Sequence, residues 1–178
     1  MMKWYTGSGD FGETSIPRKG KVGKDSIYVE ALGDLDELVA ILGIIRSLIN
    51  EEDIKEILFE VQKTVFSIGS MIAGYSSKFE GKTEKLERLI EHYDKKVTPI
   101  RNFVIPGNSL ESSFVHLARA VARRAERRVV NLLKKEERDL PISVISYLNR
   151  LSSLLFVIAL YLNSIKGIKE DLWISQKE

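Results

Sequence analysis

The sequence predicts an all-α protein: a five-helix up-and-down bundle, ferritin-like in general appearance, with an ordered N-terminal loop. Two observations carry that prediction. Five segments repeat apolar residues at alternating four- and three-residue intervals, the period that lays one stripe along a helix. Pro17, Pro99 and Pro106 fall outside these stripes, and Pro141 falls where a first helical turn tolerates it. With 178 residues, 44% of them hydrophobic, the chain has the size of one domain and can remove roughly 70% of its unfolded surface from water. The expected organisation is a single domain, 1–178, made of a nucleotide-binding loop segment (1–26), the helical bundle (27–167) and a C-terminal tail (168–178).

Residues 1 to 26 crowd Gly7, Gly9, Gly12, Gly20, Gly23 and Pro17 together without a helical period, which predicts an ordered loop or a short strand followed by a loop. Ala31, Leu35, Leu38, Leu42, Ile45 and Ile49 form the stripe of a first helix. A second begins at Asp53, with Ile54, Leu58, Val61, Val65, Ile68 and Ile72 on its face, Asp53 and Glu56 near its open N–H groups, and an end at Gly74. The third is shorter, from Thr83 to Tyr93. Residues 95–108 hold Pro99, Pro106 and Gly107 and read as a connection. Ser109 is an N-cap for a long fourth helix reaching Lys135. Pro141 opens a fifth, carrying Leu148, Leu151, Leu155, Ile158, Leu162 and Ile165 and fading at Lys166 and Gly167.

Composition narrows the function classes. No cysteine is present and there are two histidines, so a disulfide framework, a thiolate zinc site and a Cys nucleophile are excluded, and any metal is expected to arrive with a ligand. The longest unbroken apolar run, Leu154 to Leu162, is shorter than the roughly 18 residues of a membrane span. The N-terminus lacks a signal-peptide pattern, which predicts a cytoplasmic protein. A net charge of +2 leaves basic residues to act through local clustering.

Three segments offer chemistry. Gly7-Ser8-Gly9-Asp10-Phe11-Gly12 matches a dinucleotide fingerprint in letters but lacks the surrounding strand and helix. It reads either as a phosphate cradle, with Thr6, Ser8, Thr14 and Ser15 adding hydroxyls to converging N–H groups, or as a flexible arm. The run Arg18, Lys19, Lys21 and Lys24 reads as solvated loop charge from which one cation could reach a phosphate. In Arg119 to Arg128, the side chains of Arg119, Arg123, Glu126 and Arg127 fall within an arc of about 100°. Such a face suits phosphate, nucleic acid or a partner's acids, or else is a solvated flank with Glu126 as its counter-charge. Asp34, Asp36 and Glu37 read first as carboxylates favoured near a helix N-terminus, and His92 and His116 as isolated surface or packed residues.

Together, the blocks Tyr5 to Ser15, Val29 to Leu38, Phe103 to Gly107, His116 to Arg128 and Tyr147 to Ser152 resemble the PduO-type ATP:cob(I)alamin adenosyltransferases, in the family's order along nearly the whole chain. The resemblance implies a homotrimer with active sites between subunits. It implies transfer of the 5′-deoxyadenosyl group of ATP to the cobalt of reduced cobalamin, giving adenosylcobalamin and triphosphate. ATP with Mg²⁺ and cobalamin are then the expected small molecules, with a reductase and adenosylcobalamin-dependent enzymes as further partners.

By the same resemblance Thr6, Gly7, Ser8, Gly9, Thr14, Ser15, Lys24, Arg123, Arg124, Ala125, Glu126, Arg127 and Asn149 correspond to ATP-binding positions, with Arg123 and Arg127 catalytic. Phe103 corresponds to the phenylalanine that closes the space below the corrin. Asp36 and Arg119 correspond to a pair bridging subunits. No metal ligand set is implied, the Mg²⁺ being carried by ATP. Tyr28, Val39 and Asn108 depart from the family's frequent Arg, Asn and Gly.

Two other classes fit parts of the pattern. One is a non-catalytic trimeric carrier of adenosylcobalamin. The other is a helical nucleic-acid-binding module built on Arg119 to Arg128, which would bind in a steeply salt-dependent way. The near-neutral total charge and the want of an aromatic-studded basic surface argue against the second, so no nucleic acid and no membrane are expected as partners.

Overall fold

A computed structural model describes residues 4–17, 19–75, 79, 81–136 and 140–174. Arg18, part of the cationic run, lies outside the described residues. The elements in chain order are β1 (Glu13–Ile16), β2 (Gly20–Gly23), α1 (Ile27–Leu48), α2 (Glu52–Ala73), α3 (Thr83–Asp94), β3 (Phe103–Ile105), α4 (Leu110–Glu136), α5 (Ser143–Ile165) and β4 (Asp171–Trp173). Five helices dominate, as the apolar period predicts.

Each helix starts and stops for local reasons. The Ser26 hydroxyl accepts from the Val29 N–H at 3.4 Å and caps α1. Ser109 caps α4, accepting from the Ser112 N–H at 3.2 Å. Gly74 and Gly167, at φ +90° and +67°, take the left-handed conformation that ends α2 and α5. The expected carboxylate cap of α2 is absent: its N-cap is Glu51, which makes no side-chain cap bond. Asp53 instead accepts the Tyr93 hydroxyl at 2.8 Å, tying the start of α2 to the end of α3.

Helix α1 packs between α2 and α4, and α5 between α4 and α3. Their stripes meet in one core that includes Leu38, Leu42, Leu58, Ile68, Leu132, Leu151 and Leu155, all fully buried. Helix α5 alone among the described residues is long and apolar enough to cross a membrane by length and composition, yet 61% of its most apolar stretch is buried inside the bundle. Its apolarity is accounted for by its central place in the core.

Two small antiparallel ladders decorate the bundle. β1 pairs with β2, Thr14 facing Val22 and Ser15 facing Lys21, so the N-terminal segment is a hairpin. β3 pairs with β4, Phe103 facing Trp173 and Ile105 facing Asp171. The segment expected to be a bare connection therefore contains a strand, and the C-terminal tail is stitched onto it. Asn163, fully buried on α5, accepts from the Ser109 hydroxyl at 2.7 Å and donates to Glu170 at 3.0 Å. Asn108 donates to the Lys169 carbonyl at 2.9 Å from a left-handed backbone, φ +73°. Asparagine tolerates that conformation better than other non-glycine residues, and here its side chain also anchors the tail.

Candidate active site

The glycine loop is a sequence of tight turns. Gly7 and Gly12 sit at φ +73° and +80°, where a Cβ would be strained. The Asp10 N–H donates to the Gly7 carbonyl at 3.2 Å and the Gly12 N–H to that of Gly9 at 3.3 Å. The Lys24 N–H closes the loop onto Gly12 at 2.8 Å. Thr6 and Ser8 share a hydroxyl hydrogen bond of 2.7 Å. A Cβ built on Gly9 would lie 3.1 Å from Lys24 Nζ, so the glycine lets that ammonium lie against the loop. Thr6, Gly7, Ser8 and Ser15 are exposed, while Gly9 and Thr14 are half-buried. Hydroxyls, backbone N–H groups and one ammonium thus share a small open surface, the donor set that an anion requires.

The arginine block of α4 divides between two faces. Arg124 donates through Nε to Asp34 Oδ1 at 3.1 Å and also pairs with Glu37; Arg128 reaches Glu30 at 2.7 Å. Because α1 begins at Ile27, Asp34 and Glu37 lie beyond its first turn, and they act as partners for α4 and not as the helix-terminal charges expected from sequence. Arg119, Arg123 and Arg127 have no carboxylate partner among the described residues. Arg127 donates to the Arg123 carbonyl at 3.0 Å. Arg119 donates through Nε to His116 Nδ1 at 3.3 Å, and its burial, then the charge of Arg123, holds its pKa below the usual guanidinium value.

Glu126 does not neutralise this ridge. Its Oε1 accepts from Asn149 Nδ2 at 3.1 Å, Asn149 Oδ1 accepts from Arg150 at 2.9 Å, and Arg150 pairs with Glu87 at 2.8 Å. Asn149 and Glu126 are therefore brought together across α4 and α5. Ala125 is fully buried, so its side chain serves the core and presents nothing to a ligand.

Beside the ridge, Arg119, Arg123, Ser152, Ser153, Phe156 and Val157 line a groove of about 260 Å³ between α4 and α5. Phe156 also lines a second pocket of about 400 Å³ with Phe103, Trp173, Ile100, Arg101 and Asn102. Phe156 is common to the two linings. Phe103 is 78% and Trp173 53% exposed, and their rings stand 6.3 Å apart. Large aromatic surfaces left in water at the mouth of a pocket are suited to a flat, bulky ligand. Sequence reasoning named Phe103 but missed Phe156 and Trp173. Nothing in the local pattern separates Phe156 from a core residue, and Trp173 reaches the site only through the β3–β4 ladder.

The family model for cobalamin adenosyltransferases matches residues 4–162. The chain belongs to the cobalamin adenosyltransferase family. A cobalamin adenosyltransferase of Cupriavidus metallidurans is 34% identical, covering 100% of this chain and 97% of that protein. The corrinoid adenosyltransferase of Bacillus subtilis is 37% identical over 94% of this chain and 90% of its own length. Among solved structures, a phenylalanine-to-histidine variant of the PduO-type ATP:corrinoid adenosyltransferase from Lactobacillus reuteri, complexed with cobalamin and ATP, superposes with a TM-score of 0.87 at 32% identity, covering 96% of each chain.

Within the chain, Asp36 and Arg119 line different cavities. Asp36 borders an apolar groove of about 640 Å³ between α1 and α2, with Val39, Phe66 and Tyr75, whereas Arg119 borders the α4–α5 groove. The hydrogen bonds that close the N-terminal loop are likewise internal to it, Asp10 to Gly7, Gly12 to Gly9, Lys24 to Gly12 and Thr6 to Ser8. Of the three departures from the family's usual residues, Tyr28 is buried with Lys19 Nζ 4.2 Å from its ring centre. Val39 lines the α1–α2 groove, and its carbonyl accepts from Gln62 at 2.9 Å.

Proposed function

We propose that this chain transfers the 5′-deoxyadenosyl group of ATP to the cobalt of cob(I)alamin. The observation that carries the assignment is that Phe156 is shared by a groove edged by Arg123, which has no carboxylate partner among the described residues, and a pocket walled by exposed aromatic rings. A triphosphate leaving group needs the first, and a corrin face the second. Their adjacency brings C5′ and cobalt together, which is the positioning part of the catalysis.

The transfer is an in-line displacement. Cobalt(I) donates an electron pair to C5′ as the C5′–O bond breaks. The oxygen leaves with its electrons as triphosphate, and cobalt becomes formally Co(III). Charge grows on the departing oxygens, so Arg123 and Arg127 are assigned to neutralise it. Arg123 is the principal catalytic residue. The loop of Thr6, Gly7, Ser8, Gly9, Thr14, Ser15 and Lys24 holds the phosphates from the other side. Mg²⁺ comes in on ATP and screens the triphosphate.

Phe103, with Trp173 and Phe156, covers the lower corrin face and excludes a ligand from below cobalt. Removing the lower ligand makes reduction to Co(I) easier. Asp36 and Arg119 form an ion pair between neighbouring copies in a homotrimer. That arrangement explains why they line separate grooves within one chain, and why the bonds that close the loop are internal to it: the loop of one copy closes on the ridge of the next. Arg124 takes a supporting place, holding α1 against α4. Cytoplasmic ATP, a reductase that delivers Co(I), and enzymes that consume adenosylcobalamin complete the proposed setting.

With Arg124 and Arg128 neutralised by α1, less of the basic block is left for a nucleic-acid backbone. Mixing the protein with Mg-ATP and chemically reduced cobalamin tests the assignment. Conversion to the absorption spectrum of a carbon–cobalt bond should accompany one triphosphate per adenosylcobalamin. A folded protein that binds adenosylcobalamin but forms none would be a carrier, and the assignment would fail.

A further inference from the structure

His116 is 3% exposed, sits one helical turn before Arg119, and lies edge-on to Phe156 with ring centres 5.9 Å apart. Its Nδ1 accepts the Nε–H of Arg119 at 3.3 Å. Accepting at Nδ1 places the single proton of a neutral ring on Nε2, which is buried without a hydrogen-bond partner among the described residues. Burying an N–H without a partner is unfavourable, so this ring is a poor way merely to fill space between α4 and α5. What the histidine does that an apolar ring would not is accept from Arg119.

We propose that His116 is a positioning residue for the corrinoid side of the reaction: it clamps Nε of Arg119, fixing the guanidinium plane and leaving its other nitrogens for Asp36 of the partner subunit, beside the Phe156 wall that the groove shares with the corrinoid pocket. The inference rests on the proposed role of Arg119 at the subunit boundary. A guanidinium is a rigid fork, so pinning one nitrogen sets where the other two point. Without the clamp, the half-buried arginine, without a carboxylate of its own chain among the described residues, is free to rotate away from the charge of Arg123. The ring stays neutral because burial, then the Arg119 charge, lowers its pKa to about 4, so the acceptor is present throughout the neutral range.

The test pairs a measurement without substrate with a kinetic cycle. In the wild-type protein near pH 7, nitrogen NMR should show His116 Nδ1 unprotonated and hydrogen-bonded, and its resonance should move in Arg119→Leu. His116→Phe keeps ring volume but removes the acceptor. His116→Asn keeps an acceptor near the Nδ1 position. His116→Phe should raise KM for reduced cobalamin about tenfold, the scale of one lost hydrogen bond to a charged group, with KM for ATP unchanged. His116→Asn should restore most of the loss, and His116→Phe should add nothing once Arg119 is already Leu. A proton on Nδ1, an equal cost of His116→Phe in both backgrounds, or a parallel rise in KM for ATP overturns the proposal. Absence of adenosyl transfer by the wild type would overturn the functional assignment instead, while the nitrogen resonance still decides whether His116 clamps Arg119.

Discussion

Arg124 donates its Nε–H to Asp34 across the α1–α4 interface at 3.1 Å, whereas its neighbour Arg123 lines an open groove. One residue of helix rotation thus separates a cation used for assembly of the bundle from one left for a ligand. Arg123→Ala should leave the melting temperature nearly unchanged. Arg124→Ala should lose about 1 kcal/mol, the ceiling for a partly exposed ion pair, and move the denaturant midpoint accordingly. Equal destabilisation by the two variants would contradict this division.

The exposed ring of Trp173 should report corrinoid binding, since it walls the same pocket as Phe103. Adding cobalamin should quench tryptophan fluorescence, and Trp173→Phe should remove most of the quenching, leaving only the signal of Trp4. Phe103→Ala should weaken cobalamin binding while changing stability by no more than about 0.5 kcal/mol, as expected for an exposed side chain.

Asn163 is fully buried and links Ser109 on one side to Glu170 on the other. Asn163→Leu removes both bonds and leaves Ser109 and Glu170 short of a partner. A loss of about 1–3 kcal/mol is expected, together with faster hydrogen exchange at residues 103–105 and 171–173. Unchanged exchange in those strands would show that the ladder holds without the link.

Burial lowers the His116 pKa to about 4, against 6.5 for the free side chain. The unfolded chain therefore takes up a proton between these values and the folded chain does not. Stability from this group is fully present above about pH 7, falls as pH drops through 6.5, and levels off below 4, a total of about 3 kcal/mol. Urea titrations at pH 7 and pH 4.5 on wild type and His116→Asn should show a smaller acid loss in the variant. An identical loss would place the acid sensitivity elsewhere.

The helices were legible because their apolar stripes are local and long: the Leu148, Leu151, Leu155 and Leu162 pattern already defines α5. The ladder between residues 103–105 and 171–173 was not, because three-residue strands carry no period and their pairing depends on contacts distant in sequence. Helical geometry separated Arg119, Arg123 and Arg127 as one face, but nothing local announced that Arg124 and Arg128 would meet Asp34 and Glu30. In the sequence Asp34 resembles a helix-terminal charge, whereas the structure sets it beyond the first turn of α1. Phe156 joined the site only once α4, α5 and the tail were assembled around it.

The most direct test of triphosphate stabilisation by the ridge is the rate of carbon–cobalt bond formation at saturating Mg-ATP and cob(I)alamin in wild type, Arg123→Ala and Arg124→Ala. Loss of a charge stabiliser at the leaving group should lower kcat of Arg123→Ala by about a hundredfold or more, with Arg124→Ala staying within about threefold. A wild-type rate retained by Arg123→Ala, or an equal loss in Arg124→Ala, would contradict the account.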